Sequence, residues 1–289
     1  MKKVLTVLLS VISLTAGAQK INGKMEVFDL DNCRLHVYMS QEAMGDVSTV
    51  IEGGKGLVIL EQPSSVNSIK EFNDYVKKLG KPVVKVIADY HTGGLAEYPD
   101  DIIVMVEGMP EFEKGDIYGG MLKNFANIFG EAMDLRPHGK VATVPVNSEH
   151  TWAGVDFIFS QGAESDFPAS SILIDGKAYY THFAPAKAHF GTLQIPNREA
   201  INAVLKELEH ARSTGSTVFL GSHGAPAGIE EVDFQINYLK KMKELLAGCS
   251  DADSFEKALT DAYPGLPGAE GLKDMSEKIQ NRSACFAIK

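Results

Sequence analysis

Hydrophobic positions along this 289-residue chain recur with two different periods, and the switches between them outline its elements. Val27–Leu30, Arg34–Met39, Val47–Glu52 and Leu57–Leu60 carry β-branched or alternating apolar residues, broken by Asp31-Asn32 and Gly53-Gly54, which predicts four short strands. Val66, Ile69, Phe72, Val76 and Leu79 then follow helical spacing and stop at Gly80. Val83–Ala88 is an apolar strand interrupted only by Lys85, and it runs into Asp89-Tyr90-His91-Thr92-Gly93-Gly94. Ile102–Val106 predicts a further strand and Met121–Met133 a helix.

The second half follows the same logic with different residues. Val141–Val146 and Val155–Ser160 read as strands, and Ser171–Ile174 and Lys177–Thr181 flank Asp175-Gly176, a two-residue hairpin signal. Asn197 is placed to cap a helix carrying Ile201, Val204, Leu205 and Leu208, which ends before Gly215. Thr217–Leu220 is a strand emptying into Gly221-Ser222-His223-Gly224, and helices over about Glu230–Leu246, Asp253–Ala262 and Glu270–Gln280 finish the chain. No stretch rich in Pro, Gly or Ser divides it. The pattern predicts an α/β protein in two halves, each with a histidine and glycines just past a buried strand, where loops on a rigid scaffold carry sites.

The N-terminus changes this picture. Lys2 and Lys3, the apolar stretch Val4–Leu14 and the small residues Ala16-Gly17-Ala18 read as a secretory signal peptide over residues 1–18. That run is too short for a stable membrane anchor, and no cysteine marks the cleavage point. The expected mature protein starts near Gln19, free in a periplasmic or extracellular space, as one domain over 19–289 with a C-terminal helical extension. The formal net charge of −10 repels phosphate backbones and no Lys/Arg run offsets it, which excludes nucleic acid and leaves a small molecule as the expected partner. Of three cysteines, Cys249 and Cys285 flank a helical stretch and could pair in an oxidising compartment, with Cys33 left over; three buried thiols are the alternative. No cysteine spacing suits a metal.

Eight histidines supply the candidate chemistry. His36 lies in a strand, His210 on a charged helix, and His138 and His150 in loops, all read as structural or surface residues. His91, His182 and His223 stand where strands end, a place that holds an imidazole from behind and suits a metal or a proton. The chain lacks GxSxG, a GxGxxG after a strand, GxxxxGK[ST] and HExxH, and the SxxK match at Ser254–Lys257 sits on a late amphipathic helix without its companion motifs.

The order of elements and four junctions resemble the metallo-β-lactamase superfamily over about Met25 to Met242: the strand leading to His91-Thr92-Gly93-Gly94, the strand leading to Gly221-Ser222-His223-Gly224, the hairpin Ser48–Pro63 ending on Glu61, and the hairpin Ser171–His182. The resemblance implies a four-layer αβ/βα sandwich with a site along one edge of two facing sheets, where members bind two metals, usually zinc, and hydrolyse small-molecule bonds with metal-activated water. This chain departs from the family motif HxHxDH. Val86 and Ala88 match its first two histidines, Tyr90 its aspartate, and Ala163 or Glu164 the third ligand of the first metal, so the first site is lost.

His182 falls where the bridging aspartate is expected. The resemblance therefore implies one Zn²⁺ on His91, His182 and His223, with Tyr90 or Glu164 assisting as a base and His189 in Ala188-His189-Phe190 touching the substrate. The contrasting expectation is a non-catalytic pseudoenzyme that keeps the cleft to hold a small ligand without metal.

Overall fold

The computed structural model of the chain describes residues 23–163 and 170–280. The expected signal peptide, Glu164 and Cys285 lie outside the described residues. One sheet has seven strands in chain order: β1 (Lys24–Asp29), β2 (Arg34–Met39), β3 (Val47–Gly53), β4 (Gly56–Leu60), β5 (Val83–Ala88), β6 (Ile103–Val106) and β7 (Ala142–Val144). The first four pair antiparallel through short connections, and the pairs from β4 to β7 are parallel, because helical connections intervene. These helices are α1 (Val66–Lys78), α2 (Met109–Lys114) and α3 (Tyr118–Phe129).

The second sheet has five strands in the order β12-β11-β10-β9-β8, comprising β8 (Glu149–Trp152), β9 (Val155–Gln161), β10 (Ser170–Ile174), β11 (Ala178–Phe183) and β12 (Val218–His223). β11 and β12 pair parallel, joined by α4 (Arg198–Ser213), and the other pairs are antiparallel. The Asn197 side chain accepts from the Ala200 amide at 2.9 Å and caps α4, as its position predicts. After β12 come α5 (Ile229–Gly248), α6 (Ala252–Ala262) and α7 (Leu272–Gln280).

Strand side chains alternate faces, and that alternation builds three apolar layers between four layers of backbone. Ile51, Val58, Leu60, Ile87 and Val104 meet Phe157, Phe159, Ile172, Tyr180 and Leu220 between the sheets. From the same strands Val50, Leu57, Ile59, Val86 and Ala88 turn outward and pack with Phe72 and Val76 of α1. On the other side Tyr179 and Phe219 face Leu205, Leu208, Leu239 and Phe255 of the helices. This is the expected αβ/βα sandwich. The last three helices belong to its outer layer, since Leu246, Leu259 and Met275 share the cluster with α4.

Three local readings differ. β8 is absent from the expectation because Glu149-His150-Thr151-Trp152 has little apolar content; it is held as an edge strand by β9, with the His150 ring stacked on Trp152 at 4.9 Å. His138 is not a free surface residue, for its Nε2 lies 3.0 Å from Glu113. α3 begins at Tyr118, ahead of the expected Met121, because the Tyr118 hydroxyl is anchored to the backbone of Tyr90 and Thr92. Cys33 is buried and Cys249 is unpaired among the described residues.

Candidate metal centre

Three chain segments deliver the imidazoles to one end of the sandwich. His91 sits three residues beyond β5, His182 is the next-to-last residue of β11, and His223 closes β12. β11 and β12 run parallel with Phe183 opposite His223, which places His182 and His223 side by side at the same strand ends. A bridge between Asp46 and His223 ties the start of the first sheet's β3 to the second sheet at this edge, so His91 and the other two face one another.

One ligand atom from each of the three rings lies within 4.8 Å of the others. His91 Nε2 and His223 Nε2 are 3.1 Å apart. A tetrahedral zinc with bonds of ~2.0–2.1 Å sets its ligand nitrogens about 3.3 Å apart, so this pair already has nearly the spacing an ion imposes. Burial lowers the pKa of all three: His223 to about 4, His182 well below its ordinary value, and His91 against the opposing charge of Asp46. Neutral imidazoles are the form that ligates a metal. The residues present fit one ion.

Glu61 holds the loop that carries His91. Its carboxylate is fully buried and accepts from the backbone N–H of Asp89 (3.1 Å), Tyr90 (2.8 Å) and His91 (3.0 Å), and from the Tyr180 hydroxyl (2.8 Å). Its own backbone has φ +62°, a conformation that costs a non-glycine residue about 1–3 kcal/mol and persists only where surrounding bonds hold it. Burial pushes the Glu61 carboxyl up to about 7 against those donors. Asp89 is likewise fully buried and pushed up to about 8 by burial and by Glu61. Its Oδ1 accepts from Ser170 Oγ at 2.5 Å and its Oδ2 has no partner. Asp89 does not join the histidine group, because it turns into the core rather than to the site's edge.

The other expected site residues fall into place unevenly. Val86 and Ala88, which the resemblance matches to two first-metal ligands, are 0 % exposed in the layer beneath α1 and offer only hydrocarbon there. Tyr90 stacks flat on His182 with ring centres 4.1 Å apart, and its hydroxyl donates to the Ser170 carbonyl at 2.8 Å. Burial raises the phenol well above its ordinary pKa, so the expected base is corrected to a protonated ring that supports His182. His189 is corrected as well. Its Nδ1 is 2.7 Å from the Tyr238 hydroxyl and its amide donates to the Pro267 carbonyl at 2.8 Å, which fixes it among the C-terminal helices rather than at a substrate. A pocket of about 80 Å³, open at its mouth, adjoins the centre and is lined by Tyr90, Ala163, Thr181 and His182 among others.

Sequence reasoning missed two supports: Asp46, whose charge faces His91 and His223, and the Gly45 carbonyl, which binds the His223 ring. Both sit in a loop with no motif of its own, and only its bridge to β12 reveals the role.

No family model and no curated protein sequence matches the chain. Solved structures do match. The stereoselective inverting sec-alkylsulfatase Pisa1 from Pseudomonas sp. aligns at 14 % identity over 91 % of this chain and 50 % of its own, with TM-score 0.60, and a double mutant of the same enzyme at 0.61. The DIM-1 metallo-β-lactamase aligns at 15 % identity over 76 % of this chain and 98 % of its own, with TM-score 0.51. The chain spans half the length of the sulfatase chains it matches.

Proposed function

We propose that this chain, whose fold is that of the metallo-β-lactamase superfamily, is an exported hydrolase of small molecules that works with a single zinc ion. The observation that carries the reading is the convergence of His91, His182 and His223 from three distant segments, with donor atoms within 4.8 Å. A bound divalent ion would supply Lewis-acid polarisation and make water acidic enough to ionise near neutral pH.

The chain's own residues supply the rest. The three imidazoles would hold the ion, the donor set of catalytic three-histidine sites. Glu61 fixes the His91 backbone, and Tyr90 keeps the His182 ring from turning. Glu164, which the sequence offers as a base, is assigned to take the proton from water. The sulfatase and β-lactamase that share this fold act by hydrolysis, which supports the reaction class. Export rests on the basic, apolar and small-residue pattern of residues 1–18. Among the described residues no helix is long and apolar enough to cross a membrane.

A second reading, a binding protein that has given up catalysis, draws support from the hydrocarbon at Val86 and Ala88. Metal analysis of the purified protein separates the two. One zinc per chain, lost in both His91→Ala and His223→Ala, together with ester or amide turnover that falls at least a hundredfold in Glu164→Gln, is the expected result. Metal-free wild-type protein after incubation with zinc sinks the hydrolase reading.

A further inference from the structure

The pocket beside His182 has a chemical character of its own. Its walls are Phe183, Phe190, Leu193 and Val204, contributed by the end of β11, the loop after it and α4. Its polar lining includes Thr181, Gln194, Glu207 and Gln235. Glu207 of α4 is 8 % exposed, accepts from the Tyr179 hydroxyl at 2.7 Å and bonds Ser171, and burial pushes its carboxyl above the ordinary range. Gln235 of α5 is 4 % exposed, lines the same pocket and makes no hydrogen bond among the described residues. No Lys or Arg is among the described residues that line it. Glu207 and Gln235 therefore set polar atoms in the pocket wall, where a ligand can meet them.

We infer that this pocket selects a substrate with an apolar body and a hydrogen-bond donor at its far end, an ammonium or a hydroxyl group, and rejects one ending in an anion. The apolar body packs on Phe183, Phe190 and Leu193. The donor reaches Glu207, and Gln235 supplies a second polar contact through its carbonyl. A carboxylate in the same place would be desolvated beside the Glu207 carboxyl with no Lys or Arg to meet it, which costs affinity. The inference rests on the hydrolase reading only for placing the reacting bond at the His182 end of the pocket.

Binding tests it independently of turnover. Isothermal titration of the full chain, with no metal added, would compare phenylbutylamine, phenylbutanol and phenylbutanoate, three probes with one apolar body and different ends. The amine and the alcohol are expected to bind, and the carboxylate about tenfold more weakly than the amine, the scale of one charge-assisted hydrogen bond. Glu207→Gln should bring the amine down to the level of the alcohol. Leu193→Ala, at a position 78 % exposed where folding is safe, should weaken all three probes and keep their order. No binding of any probe, a carboxylate that binds as tightly as the amine, or an amine advantage that survives Glu207→Gln overturns the inference. Zinc binding without probe selectivity defeats this inference alone, and probe selectivity without zinc defeats the hydrolase reading alone.

Discussion

A single carboxylate shows how much of the centre depends on groups that never reach its edge. Glu61 satisfies three consecutive backbone N–H groups and the Tyr180 hydroxyl in a place without solvent. Glu61→Ala leaves three buried N–H donors short of a partner, and the expected loss is on the order of 3 kcal/mol or more in urea unfolding. Glu61→Gln keeps the acceptor oxygen and should lose less than half of that, with zinc still bound at one per chain. Equal losses in the two variants would show that the loop is held by other means. Tyr90 teaches the same lesson in reverse. As a letter in the place of a metal-binding aspartate it reads as a candidate base, but burial and a donated hydrogen bond to Ser170 make it a support for its neighbour.

At the scale of elements, the centre depends on β11 and β12 lying close enough to present His182 and His223 together. Gly221 makes that approach possible. A Cβ there would come within 2.2 Å of the Ala184 amide nitrogen and 2.6 Å of the His223 carbonyl oxygen, both backbone atoms that cannot step aside. Gly221→Ala is expected to cost about 1–3 kcal/mol and to lower zinc content well below one per chain, read by thermal unfolding and metal analysis on the same sample. Full zinc occupancy in this variant would mean that the two strands adjust without moving the histidines. Strand and helix positions were largely legible in the sequence because period-2 and helical patterns record which face is buried. β8 was not, since its hold comes from pairing with β9 and ring stacking rather than from an apolar pattern.

Across the whole molecule two effects combine. His189 joins the loop after β11 to α5 through Tyr238, away from the centre. His189→Ala should destabilise the protein by about 1–3 kcal/mol and leave zinc stoichiometry unchanged; loss of zinc would return this residue to the site. The buried groups at the centre also make the stability of the protein without metal depend on pH. The three imidazoles have folded pKa values below their ordinary value, near 6.5, so the stability they contribute is present above that pH and is lost as pH falls towards 4. Glu61 and Asp89 have folded values above the ordinary carboxylate range, so their contribution is present at low pH and is lost as pH rises through about 7 and 8. Urea unfolding should therefore show stability falling from pH 6.5 to 8.5, where only the buried carboxyls still titrate, and saturating zinc should raise it at neutral pH. A stability that climbs steadily from pH 6.5 to 8.5 would contradict the burial of these carboxyls.

The amino-acid order alone determined the α/β layering, the strand that ends before His91, the hairpin around Asp175-Gly176 and the purely apolar side chains at Val86 and Ala88, because each is written in local periodicity or in the identity of one side chain. Tertiary structure alone decided that His91 and His223, 132 positions apart, come to 3.1 Å, that Tyr90 and His189 serve as supports, and that Glu207 and Gln235 share a pocket with His182. Those outcomes depend on how two sheets close on one another, and distance through space across such a closure leaves no periodic trace along the chain.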